Sequence, residues 1–339
     1  MKRLFSAFVF VLLVLALCSC AEKKETFETG VTTVYVMDTF ADIELYPQNE
    51  EVTEKITDAL YDLESELSAT DGKVAELNKS GKCDGATAYI NSLLSQSETY
   101  YKETNGAFSP YLGALVELWG IGSKNYVPTE KEISEALSVS KAENVESNGK
   151  DFVGLRDGVR LNFGAVAKGY ATDIIKEILT EEEIPGAIVS IGGNVYVHGT
   201  KPSGELFSVA LRDPEGEQND WVLSLPLTNK FVISSGDYER YFEKDGVRYH
   251  HIFSPETGYP AESDLKTVCV VSEDGAMADA YSTALFVMGK EKALSFWREH
   301  EGFELILIGQ DNKITLTEGL DGLVSPNTEK DYTYEVEKR

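Results

Sequence analysis

Cysteine is scarce in this chain, with only four among 339 residues. The sequence contains no CxxC pair and no cluster of cysteine with histidine, so it gives no support to a zinc or haem site. Cys18 and Cys20 lie in an N-terminal apolar stretch, which leaves Cys83 and Cys269 for the folded part. These two could form a disulfide outside the cytoplasm; the alternative is that both are buried free thiols.

Basic residues are also few: 31 Lys and Arg stand against 57 Asp and Glu, for a formal net charge of −26. An acidic surface repels the phosphates of nucleic acids and the headgroups of anionic lipids. We therefore expect no nucleic acid partner. Any anionic substrate would need a local cation to hold it.

The sequence lacks linkers rich in Pro, Gly or Ser, internal repeats and a second long apolar run. We therefore predict one large domain over residues 30–326. Residues 327–339 are polar, and we expect them to form a frayed tail.

The first nineteen residues have the pattern of a signal peptide. Lys2 and Arg3 precede an apolar run, residues 4–17, that is too short to span a bilayer comfortably. The small residue Ser19 before Cys20 indicates a bacterial lipoprotein signal: residues 1–19 would be removed, Cys20 lipidated, and residues 20–29 would form a flexible tether. The mature protein would then be anchored at the extracytoplasmic face of the cell membrane. An ordinary signal peptide and a retained membrane anchor are the alternatives.

Hydrophobic periodicity predicts an α+β fold, with antiparallel sheets and helices packed on them. Residues 31–46 alternate as two strands broken at 37–39, and residues 303–309 and 314–316 form a closing hairpin. Residues 50–68, 87–104, 276–287 and 290–301 carry helical spacing.

The predicted helix at 276–287 holds Asp279 and Thr283 one turn apart on the same face. A carboxylate and a hydroxyl placed in this way can bind a hard cation such as Mg²⁺. The alternative is that Asp279 caps backbone N–H groups and Thr283 bonds back to a carbonyl.

Two other stretches carry groups suited to an anionic ligand and to proton transfer. A strand ending at Asn162 leads through Gly164 into a helix with Lys168 in its first turn, which favours an anion. His251 can accept a proton near neutral pH. The alternatives are a surface lysine and a histidine bonded to backbone.

Seven segments, taken in order, resemble the ApbE family, the FAD:protein FMN transferases. They are MDT at 37–39, NGAFSPYLGALVELWG at 105–120, LNFGAVAKGYATD at 161–173, SIGGNVYVHG at 190–199, SSGDYER at 234–240, HHIFSPETGYP at 250–260 and ADAYSTALFVMG at 278–289. The resemblance implies a tunnelling-fold-like architecture with the ligand between two halves. It also implies an enzyme that binds FAD with Mg²⁺ and moves FMN onto a Thr or Ser hydroxyl of an exported partner protein, releasing AMP.

The resemblance also implies the site residues. Asp279, Thr283 and the Ala165 carbonyl match the Mg²⁺ ligands of the family, and His251 matches its proposed base. FAD contacts would come from Met37, Thr70, Gly106, Ala107, Phe108, Asn162, Lys168, His251 and Ile252. Rings that could pack on the flavin, or belong to the core, are Phe108, Trp119 and Tyr238.

The chain departs from the family at two places. Asp38 stands where the family often has glycine, and residues 68–71 hold no aromatic side chain that could stack on the flavin. The second departure would leave the site freer to release FMN to water. The chain also has Asp84-Gly85 shortly before Thr87, similar to the Asp-Gly-x-Thr motif of acceptors, but Thr87 is more simply a helix cap.

Three functions follow from these observations. The first is transfer of FMN to a flavoprotein that carries the Asp-Gly-x-Thr motif. The second is Mg²⁺-dependent hydrolysis of FAD to FMN and AMP, in which water replaces the acceptor. The third is a lipoprotein that binds flavin without catalysis.

Overall fold

The computed structural model describes residues 30–339. The helices in this range are α1 (Glu50–Leu67), α2 (Lys73–Ser80), α3 (Ala88–Glu103), α4 (Gly113–Trp119), α5 (Glu130–Val139), α6 (Ala167–Glu181), α7 (Gly275–Met288) and α8 (Lys290–Glu299). The strands are β1 (Val31–Val36), β2 (Thr39–Tyr46), β3 (Lys82–Asp84), β4 (Val145–Ser147), β5 (Phe152–Leu155), β6 (Gly186–Ile191), β7 (Asn194–Gly199), β8 (Phe207–Arg212), β9 (Trp221–Leu227), β10 (Lys230–Gly236), β11 (Tyr241–Lys244), β12 (Val247–His250), β13 (Leu265–Ser272), β14 (Phe303–Gly309), β15 (Lys313–Thr317), β16 (Ser325–Pro326) and β17 (Thr333–Glu337). None of the helices from residue 30 onward is long and apolar enough to cross a membrane.

A nine-stranded sheet organises the chain, in the order β1-β2-β6-β7-β10-β13-β14-β15-β17. Its neighbouring strands are antiparallel except for β15 and β17, which are parallel. Smaller sheets are formed by β16-β9-β8, by β3-β5-β4 and by the hairpin β11-β12. The predicted α+β class, with antiparallel sheets and packed helices, is confirmed.

Both faces of the large sheet are covered. On one face, helices α1, α3, α6, α7 and α8 form the main core with the strands. On the other face, strands β8 and β9 of one small sheet form a second core. They pack on alternate residues of β7, β10, β13, β14 and β15. All eight residues of β13 are consequently buried. An antiparallel strand with apolar residues at successive positions is the pattern expected when neither face meets water.

Local signals start the helices where the sequence predicts them. In α1, Val52, Ile56, Leu60 and Leu63 face the core, and the side chain of Asn49 accepts a hydrogen bond from the Val52 N–H. The Thr87 hydroxyl accepts from the Ile90 N–H at the start of α3. Thr87 is therefore a helix cap in this structure, as expected.

Helices α6 and α7 cross in close contact at two glycines. A Cβ at Gly169 would overlap the Gly275 carbonyl oxygen, and a Cβ at Gly275 would lie 2.5 Å from the Gly169 carbonyl oxygen. Each helix also caps the other. Asp279 of α7 accepts the Gly169 N–H at 2.9 Å, and Asp173 of α6 accepts the Gly275 N–H at 2.8 Å. The backbones of α6 and α7 are therefore in direct contact at Gly169 and Gly275.

The C-terminal residues differ from the predicted frayed tail. Strand β17 pairs with β15 along its whole length, from Lys313 with Thr333 to Thr317 with Glu337. The Tyr332 hydroxyl and the Lys330 amine both bond to the buried Asp213 carboxylate. The folded domain therefore continues beyond residue 326.

Cys83 and Cys269 are both free thiols. Cys269 is buried in β13, and burial raises the pKa of its thiol to about 12. Burial also raises the pKa of the half-buried Cys83. The alternative of two free thiols is therefore the one that the structure shows.

We predict that Gly169→Ala destabilises the fold by about 1–3 kcal/mol, the usual cost of overpacking. The added methyl group would force α6 away from α7, since backbone atoms block its place. Gly30→Ala is the matched control, because its Cβ would meet only the flexible end of Gln48 at 3.3 Å. Urea unfolding of both variants measures the difference, and equal stability would contradict the close crossing.

Candidate functional site

The loops at one end of the large sheet gather the predicted site residues. The β1-β2 hairpin turns at residues 37–38, and the β6-β7 hairpin turns at residues 192–193. Both turns lie at the end where β10 finishes and β13 begins, as the register of β7, β10 and β13 requires. Thr39 packs against Gly192, which brings the two turns side by side. We call this region the site end of the sheet.

Asp279 and Thr283 lie on α7, on the face that the sequence predicts. Asp279 is 4% exposed, and its Oδ2 accepts the Gly169 N–H at 2.9 Å. The Thr283 hydroxyl lies 3.2 Å from the Ser235 hydroxyl on β10, and Ser235 in turn lies 2.8 Å from Ser282. The cap interpretation of Asp279 is thus correct for one of its oxygens, although the helix that it caps is α6.

The carbonyl of Ala165 lies in the turn that leads into α6, just before the N-cap Val166. The first N–H groups of a helix have no partner within it, and Asp279 supplies one for the Gly169 N–H. The Ala165 carbonyl is therefore outside the regular hydrogen-bond ladder of α6.

The three predicted cation ligands are all oxygens, the donors that a hard cation such as Mg²⁺ takes. The set contains one carboxylate, one hydroxyl and one carbonyl, which leaves room for waters and phosphate oxygens. Within residues 30–339, no three His, Cys, Asp or Glu side chains cluster as a metal site. The residues present therefore fit Mg²⁺ and do not offer the nitrogen or sulfur donors that zinc prefers.

Lys168 stands in the first turn of α6, where the helix N-terminus also favours an anion. Its positive charge helps to lower the pKa of His251, after desolvation, so the ammonium lies within electrostatic reach of the imidazole. Asn162 is half-buried, and its Oδ1 accepts the Gly164 N–H at 2.9 Å to form the turn before the helix. Lys168 and His251, which come from distant segments of the sequence, therefore lie in the same region of the fold.

His251 follows β12 directly and is held by the backbone of Arg240. The Arg240 carbonyl accepts the His251 N–H at 3.1 Å and lies 3.2 Å from the Nδ1 of its ring. Since a carbonyl only accepts, Nδ1 carries the proton and Nε2 keeps its lone pair. Desolvation lowers the pKa of His251 to about 3, assisted by the charge of Lys168. The imidazole is therefore neutral far below pH 6.5, which differs from the neutral-range titration that the sequence suggests.

His250 has a different place, as strand alternation predicts. It is 7% exposed, its Nδ1 accepts the Ile252 N–H, and its Nε2 lies 3.1 Å from the Ala261 carbonyl. Both ring nitrogens are thus used within the protein. Burial lowers the pKa of His250 as well.

Several predicted contact residues lie in the core. The Phe108 ring is 1% exposed and meets Tyr100 edge-on, and Ile252 is 5% exposed. Trp119 is fully buried and donates to the Gly258 carbonyl at 2.9 Å. Their side chains position the loops, whereas Gly106 and Ala107 before Phe108 remain partly accessible.

Thr70 lies in an exposed polar loop after α1. Its hydroxyl lies 2.9 Å from the Ser68 hydroxyl and 3.2 Å from the Asp71 carboxylate. Hydrogen bonds to the Asp71 carboxylate, first from the Ser68 hydroxyl and then from that of Thr70, lower the pKa of Asp71. No aromatic ring stands in this loop, so the departure noted in the sequence persists in the structure.

Three residues at the site end have contacts that the sequence did not single out. Glu64 accepts the Met37 N–H at 2.7 Å, Arg240 donates to the Asp38 carbonyl at 2.9 Å, and Ser235 bonds to Thr283. Two of these bonds go to backbone atoms distant in sequence. No residue pattern signals such a partner.

Comparison with known proteins gives matches over most of the chain. It is 33% identical over 290 residues to an FAD:protein FMN transferase of Treponema pallidum, covering 79% of each chain. Its structure resembles that of the ApbE protein of Thermotoga maritima, with a TM-score of 0.80, 32% identity and coverage of 87% of this chain and 99% of that one. The flavinyl transferase ApbE of Pseudomonas stutzeri superposes with a TM-score of 0.76 at 27% identity, covering 87% and 96%.

The fold and these matches define a transferase enzyme that handles flavin. The chain belongs to the ApbE family, whose model matches residues 37–307.

We predict that the His251 imidazole stays neutral down to about pH 3, as its lowered pKa requires. Between about pH 6.5 and 3 the unfolded chain then binds a proton that the folded chain does not, so the free energy of unfolding decreases as the pH falls through this window. NMR titration of the ring measures the pKa directly. In His251→Gln the loss of stability in acid should be smaller, and a ring titrating near pH 6.5 would contradict the prediction.

Proposed function

We propose that the protein transfers FMN from FAD to a Thr or Ser hydroxyl of an exported acceptor protein, with Mg²⁺, and releases AMP. The observation that carries the proposal is the convergence of an oxygen donor set, a lysine at a helix N-terminus and a histidine with a free Nε2. These groups meet at the site end of the sheet in a chain of the ApbE family.

Each residue has a distinct task in the proposed reaction. Lys168 and the N-terminus of α6 hold the diphosphate, and Nε2 of His251 takes the proton of the acceptor hydroxyl. The hydroxyl oxygen then bonds to the FMN phosphorus while the bond to the AMP phosphate breaks. When bound, Mg²⁺ at Asp279, Thr283 and the Ala165 carbonyl supplies positive charge to offset that of the diphosphate.

A neutral histidine with a low pKa suits this role in one respect. Its Nε2 is available over the whole physiological range, because no proton occupies it. Its basicity is weak, so it accepts the proton only as the hydroxyl oxygen attacks phosphorus. The positioning of the two reactants then contributes much of the rate.

Hydrolysis of FAD is the second candidate, and the exposed loop of Thr70 favours it. Without an aromatic ring there, flavin stacking adds little to the retention of FMN. Water would replace the acceptor hydroxyl, and the products would be FMN and AMP. A site that binds flavin without catalysis is the third candidate, and it predicts no AMP under any condition.

The test incubates the protein with FAD, Mg²⁺ and a peptide or domain carrying the Asp-Gly-x-Thr acceptor motif, followed by mass spectrometry. FMN attached to the Thr supports transfer. Free FMN with AMP and no modified acceptor supports hydrolysis, and intact FAD supports storage.

We predict that Asp279→Asn lowers turnover in limiting Mg²⁺ by at least about tenfold. The Asn side-chain oxygen can still accept the Gly169 N–H, so the helix cap and the fold should persist while the charge is lost. Asp274→Asn is the matched control, because Asp274 caps the N-terminus of the same helix by accepting the Met277 N–H at 2.8 Å. Wild-type turnover in Asp279→Asn would show that the cation binds elsewhere.

We also propose that the enzyme works at the extracytoplasmic face of the cell membrane, through a lipid on Cys20. Residues 1–29 lie outside the described residues, so the support is the sequence pattern alone. The acidic surface would keep the domain off anionic headgroups, which leaves the lipid as the means of attachment.

If this is correct, Cys20→Ala abolishes lipid modification, because acylation needs the thiol. Fractionation of cells and mass spectrometry of the N-terminus measure the change, with Cys83→Ala as the control. A Cys20→Ala protein that still carries lipid would refute the assignment. FAD turnover should be retained, since Cys20 precedes the folded domain.

A further inference from the structure

The turn at residues 37–38 is held in a costly backbone conformation. Met37 and Asp38 have φ angles of 55° and 59°, in the left-handed region that suits glycine. Two residues with positive φ make the tight hairpin turn whose twist matches its strands. Side chains at both positions raise its energy, and such strain persists only where neighbouring groups impose it.

Two side chains from other elements impose it here. Glu64 on α1 accepts the Met37 N–H at 2.7 Å. Arg240, between β10 and β11, donates from Nη2 to the Asp38 carbonyl at 2.9 Å. Both bonds join a charged group to backbone, which makes them stronger than neutral bonds. Glu64 lies 27 residues after Met37, and Arg240 lies 202 residues after Asp38, so both supports come from outside the hairpin.

Arg240 also contacts the proposed base. Its carbonyl accepts the His251 N–H at 3.1 Å and the Nδ1 proton at 3.2 Å. The same residue therefore fixes the imidazole tautomer through its backbone and the 37–38 turn through its side chain. Met37 is the residue of that turn for which the family resemblance implies an FAD contact.

We propose that Arg240 is a positioning residue that couples the turn at residues 37–38 to His251, with Glu64 as the second support of the turn. The inference rests on the proposed function for its effect on turnover. In this arrangement the turn at residues 37–38 and the ring that is proposed to take the proton keep one relative position, because a single residue holds both. Loss of the guanidinium releases the turn and lets the Arg240 carbonyl shift away from Nδ1.

The test compares Arg240→Met, Arg240→Lys and Arg248→Met in the full-length protein. Arg248 is the matched control: it lies exposed on β12, in the hairpin that follows Arg240, with its guanidinium over the Tyr241 ring and 3.7 Å from the Glu243 carboxylate. Arg240→Met should lower kcat by about 10- to 100-fold, the cost of misplacing reacting groups by about an ångström. The KM for FAD should change by less than about threefold, since Lys168 and the cation hold the diphosphate.

Three further comparisons separate positioning from a general effect on the fold. Arg240→Lys, which keeps the charge and can reach the carbonyl, should recover part of kcat, whereas Arg248→Met should match the wild type. In ¹⁵N-histidine NMR spectra, His251 should be protonated at Nδ1 in the wild type and a mixture of tautomers in Arg240→Met. Glu64→Gln, which keeps an acceptor for the Met37 N–H, should retain more kcat than Glu64→Ala.

The outcomes distinguish the two proposals. If the wild type turns over FAD and Arg240→Met keeps both its kcat and a single Nδ1 tautomer, the coupling is wrong and the proposed function stands. If the wild type neither transfers nor hydrolyses, the proposed function is wrong. The tautomer of His251 in Arg240→Met then still decides the coupling: a mixture supports it and an unchanged ring overturns it.

Discussion

The close crossing of α6 and α7 is the constraint on which the site depends. Gly169 and Gly275 let the two backbones touch, and Asp173 and Asp279 satisfy N–H groups at the start of the opposite helix. Buried N–H groups at helix starts need such partners. Because the crossing places the first turn of α6 beside the second turn of α7, residues far apart in sequence meet there. One of them is Asp279, whose Oδ2 accepts the Gly169 N–H and whose other carboxylate oxygen does not take part in that bond.

The same contact shapes the surroundings of the proposed cation ligands in a well-packed interior. A buried carboxylate needs partners for its charge. One oxygen of Asp279 accepts the N–H of Gly169, which follows Ala165 by four residues. The helix contact thus places Asp279 next to the segment that carries the proposed Ala165 ligand. Thr283, one turn further along, is oriented by Ser235 from the neighbouring strand.

Local patterns in the sequence predicted most of the fold and led to the proposed site residues. Alternation and helical spacing located β1, β2, α1, α3 and α7, because each buries one face or stripe on a regular period. Strand β17 was missed, since a parallel pairing with β15 depends on long-range contacts that a polar tail does not signal. The His251 pKa was missed for a similar reason, because it depends on desolvation and on Lys168 across the fold.

Asp38 shows how a departure from a family pattern is accommodated physically. Glycine would adopt its positive φ with little strain, whereas aspartate adopts it at some steric cost. The bond from Arg240 goes to the carbonyl of residue 38, so it does not depend on the side chain there. A glycine would therefore keep the bond and lose the strain, and would also let the turn move more freely. With aspartate, the side chain restricts the backbone conformations that the turn can adopt. The hydrogen bonds with Arg240 and Glu64 then favour one of these conformations. Aspartate in place of glycine therefore reduces the backbone freedom of the turn. The position of the turn then depends on Glu64 and Arg240, and Arg240 also bonds to His251.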